Sequence, residues 1–238
     1  MANNANFSLT PRKEDMREPR KIEVIEQFSL DEIYSHFEES FNSLKKQFGV
    51  ADSAMSIGNL EICKTIWRSQ VVLAEGLLDF YIHEISKFCL FRMFTGEWQK
   101  SDKYYGIQIP MDKIEEAINA KDSQNWFFEF LNEHFSRAVF LSKESMRAQL
   151  NMIGIGFNSV MHKAFSLKNE DLSSKYGSEV VESLFKRRNE IAHQNDRSHA
   201  SAVQNDISKE FVLEYLNKIE LIVKAIHELA VNKEGETE

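Results

Sequence analysis

The stretch from about Asn59 to Thr95 constrains this chain more than any other: its apolar positions, among them Ile62, Ile66, Leu73, Leu77, Phe80, Ile85 and Phe88, recur at helical spacing until Gly96. A helix that long with so broad an apolar face suits the centre of a bundle. A second amphipathic helix opens at Ser29, where Leu30, Ile33, Tyr34, Phe37, Phe41, Leu44 and Phe48 share one face. Ser29 and Glu32 form a capping box there, and Gly49 marks the exit. Shorter helical patterns follow around 112–120, 123–140, 142–152 and 157–167. Two more are expected over 178–193 and from a cap at Asn205 or Asp206 to about Val231. With 9 Gly and 3 Pro in 238 residues, turn-formers are too few for a many-stranded sandwich or barrel. The expected fold is an all-α helical bundle with a long central helix and at most a short extended piece near Tyr105–Pro110.

One domain is expected over 29–232, preceded by a flexible, charged N-terminal arm over 1–28 and followed by a disordered acidic tail over 233–238. The arm lacks the apolar core of a signal peptide. No apolar stretch reaches the ~20 residues needed to cross a bilayer, so a soluble cytoplasmic protein without membrane contact is expected. Cys63 and Cys89 stand apart from any Cys/His cluster, which argues against a disulfide framework or a zinc module. No metal and no cofactor is expected. The net charge of −8 means that a nucleic acid cannot be held by bulk charge and needs a local basic patch.

Such a patch occurs late in the chain. On a helical wheel of Val180–His193, Val181, Leu184, Phe185, Ile191 and Ala192 form an apolar arc, and Arg188 falls at about 80°, inside it. An arginine there either snorkels past the core or meets a carboxylate, an anion or a second subunit. His193 lies five residues on, about 140° around and ~7.5 Å along an ideal helix, so the two should not share a face. A frayed helix end or a two-fold axis would be needed to bring them to one phosphate. Lys186, Arg187, Arg188 and Arg197 outnumber Glu190 and Asp196 by two, a basic island that also fits a solvated helix end favouring cations.

Arg188-Asn189-Glu190-Ile191-Ala192-His193 resembles the Arg-Asn-x-x-x-His motif of the higher eukaryotes and prokaryotes nucleotide-binding (HEPN) superfamily. Together with Ala74-Glu75-Gly76-Leu77-Leu78 on the long helix and the final amphipathic helix, it resembles the RiboL-PSP-HEPN-like bacterial branch over roughly residues 60–230. The resemblance implies a dimeric, metal-independent endoribonuclease acting as a toxin or defence effector, with RNA as substrate and an antitoxin or defence-system protein as a possible partner. The alternative is a catalytically silent module that binds RNA or docks a protein. By position, Arg188 would bind the scissile phosphate, His193 would move protons, and Asn189 would orient Arg188. Lys186, Arg187 and Arg197 would add RNA contacts. Glu75 is either an internal partner of the motif or an ordinary carboxylate on a helix surface. Gln194-Asn195-Asp196 stands where the family often has Gly after the histidine, so the chain leaves this helix differently. Asn195 replaces the Tyr of members silenced by nucleotide transfer.

Other patterns carry less. Glu190-x-x-His193 has no second copy to complete a di-iron bundle site. His83-Glu84-x-x-Lys87 lacks the second histidine of a zinc protease, and Gly154-Ile155-Gly156 lacks the third glycine of a dinucleotide fold. Trp126, Phe127, Phe128, Phe130 and Phe135 read as core or interface before base-stacking platform.

Overall fold

A computed structural model describes residues 26–119, 124–198 and 200–235. Residues 1–25 of the expected arm therefore lie outside the described residues. Helix α1 (Leu30–Ser56) begins as its sequence dictates: the Ser29 amide donates to Glu32 Oε2 at 2.8 Å while the Glu32 amide donates to Ser29 Oγ at 3.3 Å. The helix passes through Gly49, where an exit is expected from sequence. Ala51 and Ala54 extend its buried stripe, and the chain turns at Gly58, in the left-handed region at φ 77°. A helical glycine costs only ~1 kcal/mol, which this added burial offsets.

Helix α2 (Leu60–Thr95) has 36 residues and is about 54 Å long at 1.5 Å per residue. Asn59 caps it through Ile62 N, and Gly96 ends it at φ 84°. Its buried ridge runs through Cys63, Val71, Ala74, Leu78, Ile82, Ile85 and Cys89, whereas Ile62, Leu73 and Phe80 are about half exposed. Both cysteines are free.

A short 3-10 turn at Tyr104–Gly106 leads into residues 107–110, which belong to no helix and open in extended backbone at Ile107 (φ −68°, ψ 122°); no strand occurs among the described residues. Of the helices that follow, α4 (Asn125–Phe135) packs on α2 and carries α3 (Met111–Asn119), while α6 (Phe157–Phe165) packs on the last two helices of the chain with α5 (Lys143–Met152) beside it. The aromatic run of α4 is core: Phe127, Phe128, Phe130 and Phe135 are buried, and Phe94 stacks on Phe127 with centroids 4.3 Å apart.

Helix α7 (Glu170–Gln194) starts eight residues earlier than its pattern indicates, capped by Asn169 through Leu172 N. Gly177 does not break it because the helix needs the space. A Cβ there would lie 2.4 Å from Met161 Sδ, so Gly177 lets α7 pack closely on α6. Helix α8 (Lys209–Gly235) starts after Ser208, whose hydroxyl accepts from Phe211 N, instead of at Asn205 or Asp206, whose side chains are engaged by Asp196 and Lys64. It runs four residues past Val231, so the expected tail is helical to Gly235 and its last three residues lie outside the described ones. The core lies where α1, α7 and α8 close around α2.

Candidate functional site

Arg188 and His193 come together on an unbroken helix. Arg188 Nη1 lies 3.4 Å from His193 Nε2 and donates to Asn189 Oδ1 at 2.9 Å. Fraying and a two-fold axis are both unnecessary for this approach, because the arginine side chain is long enough to swing along the helix surface toward its C-terminus. His193 is exposed, Asn189 and Arg188 are half-buried, and Arg188 Nε is buried without a hydrogen-bond partner among the described residues. The guanidinium thus has its inner edge in the protein and its outer edge with the histidine. The contact with His193 is a hydrogen bond when Nε2 is the unprotonated ring nitrogen.

Behind Arg188 lies Glu75, which is 1% exposed and therefore no surface carboxylate. Tyr215 of α8 reaches it, with Oη 3.1 Å from Glu75 Oε1 and 2.9 Å from the Leu184 carbonyl of α7. Glu75 Oε2 has no hydrogen-bond partner among the described residues. Burial pushes the Glu75 carboxyl up to about 7, against the Tyr215 hydrogen bond and the Arg188 charge, which both pull it down. Burial likewise pushes the Tyr215 phenol well above its ordinary value.

The exit from α7 is built on two consecutive left-handed residues, Asn195 at φ 51° and Asp196 at φ 57°. The Asp196 carboxylate has no exposed surface. It receives Arg68 Nε at 2.7 Å, Arg187 Nη2 at 3.0 Å, a further contact from Arg187 Nη1, and Asn205 Nδ2 at 3.1 Å. Burial opposes the charge of Asp196, but the hydrogen bonds from Arg187, Arg68 and Asn205 outweigh it and hold the carboxyl below its ordinary value. Arg187 also approaches Glu190 at 3.4 Å and lies over the Phe211 ring. Its charge is turned inward and neutralised, which is not the outward RNA contact expected of it. Lys186 and Arg197 are exposed, and Arg197 donates to the Ala202 carbonyl at 2.8 Å.

Sequence reasoning missed Arg68, Asp196 and Tyr215. Arg68 and Glu75 lie seven residues apart on the buried ridge of α2, in line with Val71, Leu78 and Ile82, and two ionisable groups in an apolar row are the signal that partners wait inside. Tyr215 reads as one more apolar position of α8, and only its hydroxyl sets it apart.

No group of three or more His, Cys, Asp or Glu side chains that could hold a metal ion occurs among the described residues, and none of their helices is long and apolar enough to cross a membrane. An open cleft of about 430 Å³ lies beside the motif, between α2 and the end of α7, lined by Val72, Leu73, Ile191, Ala192, Asn195 and Gln204 among others. No curated protein and no solved structure matches the chain significantly. The sequence profile of the RiboL-PSP-HEPN family matches residues 39–232, from the middle of α1 to near the end of α8, and the chain belongs to that family.

Proposed function

We propose that the protein is a metal-independent endoribonuclease whose reacting groups are Arg188 and His193. The observation that carries this reading is the 3.4 Å approach of Arg188 Nη1 to His193 Nε2 at the exposed end of α7, which puts a fixed positive charge beside a group able to take a proton. In this mechanism Arg188 binds the scissile phosphate and offsets its developing charge. His193 removes the proton of the neighbouring ribose 2′-OH, the 2′ oxygen bonds to phosphorus, and the bond to the 5′ oxygen breaks. The leaving oxygen takes up a proton, giving a 2′,3′-cyclic phosphate and a 5′-hydroxyl. Asn189 holds Arg188 in place through Oδ1. Lys186 and Arg197 are the exposed cations left to meet the RNA backbone.

The working unit in this proposal is a homodimer. Ile62, Leu73 and Phe80 are spaced so that they share one side of α2, each about half exposed, and Leu73 and Ala192 together line the cleft next to the motif. A role as toxin or defence effector, with a partner protein that restrains it, follows from the family and belongs to the same proposal.

A second reading, a silent module that binds RNA or a protein, is favoured by the inward turn of Arg187 onto Asp196, which takes one of the island's four cations away from the outer surface. Incubation of purified protein with RNA in excess EDTA separates the two. The nuclease reading expects fragments, and an intact but shifted RNA band supports the silent module.

A further inference from the structure

Three helices converge on Tyr215, and the arrangement leaves a proton to be assigned. Its Oη lies between Glu75 Oε1 at 3.1 Å and the Leu184 carbonyl at 2.9 Å. A phenol has one proton to donate, and a carbonyl can only accept. Both contacts are hydrogen bonds at once when Glu75 carries a proton and donates it to Tyr215 Oη, which in turn donates to Leu184. Leu184 precedes Arg188 by four residues within α7, so the same carbonyl accepts the Arg188 backbone N–H. The pair therefore grips the turn from which Arg188 projects. Two atoms there remain unpaired and complementary: Glu75 Oε2, which accepts, and Arg188 Nε, which donates, both buried.

We propose that Glu75 and Tyr215 position Arg188 through this proton. While Glu75 is protonated, it is satisfied by Tyr215, and the guanidinium stays outward beside His193 and Asn189. When Glu75 loses the proton to solvent, the phenol proton remains shared and a buried negative charge stands unneutralised. The complementary Nε–H of Arg188 is then drawn toward Oε2, and the guanidinium is withdrawn from the outer surface. The groups that face Glu75 are Tyr215 from α8, Arg188 from α7 and Asp79 from α2 itself, the last favouring the protonated form. Burial places the change at about 7, where a modest rise in pH converts one state into the other. The device rests on Arg188 serving as the phosphate-binding group, but the protonation of Glu75 does not.

The test therefore has two arms on the full chain. In the first, protein with 13C-labelled glutamate side chains is titrated by NMR, with the Glu75 signal assigned by its loss in Glu75→Gln. The carboxyl is expected to titrate near pH 7, and Arg188→Gln should move the transition upward, since it removes a positive charge that favours ionisation. A Glu75 transition in the ordinary carboxylate range, or one indifferent to Arg188→Gln, would overturn the proposal whatever the protein does to RNA. In the second arm, cleavage rate is followed against pH. Glu75→Gln can donate to Tyr215 and accept from Arg188, and so imitates the protonated state at every pH. It should remove a several-fold alkaline decline that the parent shows above about pH 7, whereas a purely structural role for Glu75 would scale the whole profile equally. Cleavage with an identical alkaline limb in both proteins would refute the device while leaving the nuclease reading intact. Absence of cleavage in both would contradict that reading and leave the first arm to decide whether Glu75 and Arg188 are coupled.

Discussion

Arg188 Nη1 sits 3.4 Å from His193 Nε2 although five residues of continuous helix separate them. Ideal geometry turns the two Cα–Cβ directions about 140° apart, yet the arginine bends along the helix toward its partner. The two side chains therefore enclose one small volume at the exposed end of α7, with Asn189 as the third contact.

Substitutions within this group should separate chemistry from binding. His193→Ala should lower RNA cleavage by about 10²–10⁴-fold, the usual loss when a general base is removed, and change RNA affinity little. Arg188→Ala should reduce both, because it deletes the phosphate contact as well as transition-state charge stabilisation. Single-turnover rates alongside filter-binding titrations would show the split. Full activity in purified His193→Ala would remove that residue from the mechanism.

Asp196 should behave as a structural keystone with little part in the chemistry. It is fully buried between Arg68 and Arg187, and its removal leaves two guanidinium groups without their shared counter-charge. Asp196→Ala is expected to cost about 3–5 kcal/mol in urea unfolding. Since its carboxyl is held below the ordinary value, its stabilisation is present above that value and is lost as pH falls through the lower, folded one. The parent should accordingly lose stability on acidification below about pH 4 more steeply than Asp196→Ala. Equal urea midpoints at neutral pH would mean that the ion pairs contribute nothing.

Glu75 has the opposite sign. Its folded value is raised from 4.5 to about 7, so the folded chain holds a proton that the unfolded chain releases between those limits. Stability from this group is complete below the lower limit and is lost as pH rises through the upper one. Between about pH 5 and pH 8 the parent should lose on the order of 1–3 kcal/mol that Glu75→Gln retains. Parallel curves from denaturant unfolding across this range would argue that Glu75 is ionised at neutral pH in the folded protein.

Much of the architecture is legible in the chain because local signals agree with packing. Ser29 and Glu32 start α1, Asn59 and Gly96 bound α2, and the apolar periods of both are helical. Boundaries fail where long-range contacts override a local breaker: Gly49 stays helical over Ala51 and Ala54, and Gly177 stays helical because Met161 fills its side of α7. Asn205 and Asp206 look like caps but are committed to other partners. Within the candidate site, the arginine on the apolar arc leaves two alternatives open in the sequence, snorkelling outward or meeting a partner inside, and in the structure its Nε is buried while its Nη1 reaches His193. A wheel treats residues as directions, so it places Arg188 and His193 apart when side-chain length brings them together. Nor can it indicate that Arg187, one residue before, spends its charge on Asp196, since that contact depends on how the chain turns back after Asn195.

The central claim is attack by the RNA's own 2′-OH. The most direct measurement maps one cut site in an RNA oligonucleotide, replaces the single ribose 5′ of the scissile phosphate with 2′-deoxyribose, and compares both strands in EDTA. The account predicts that the parent strand yields ends with a 2′,3′-cyclic phosphate and a 5′-hydroxyl, and that the substituted strand binds but is not cut at that position. Undiminished cutting at the deoxy position, or products ending in a 3′-hydroxyl, would contradict it.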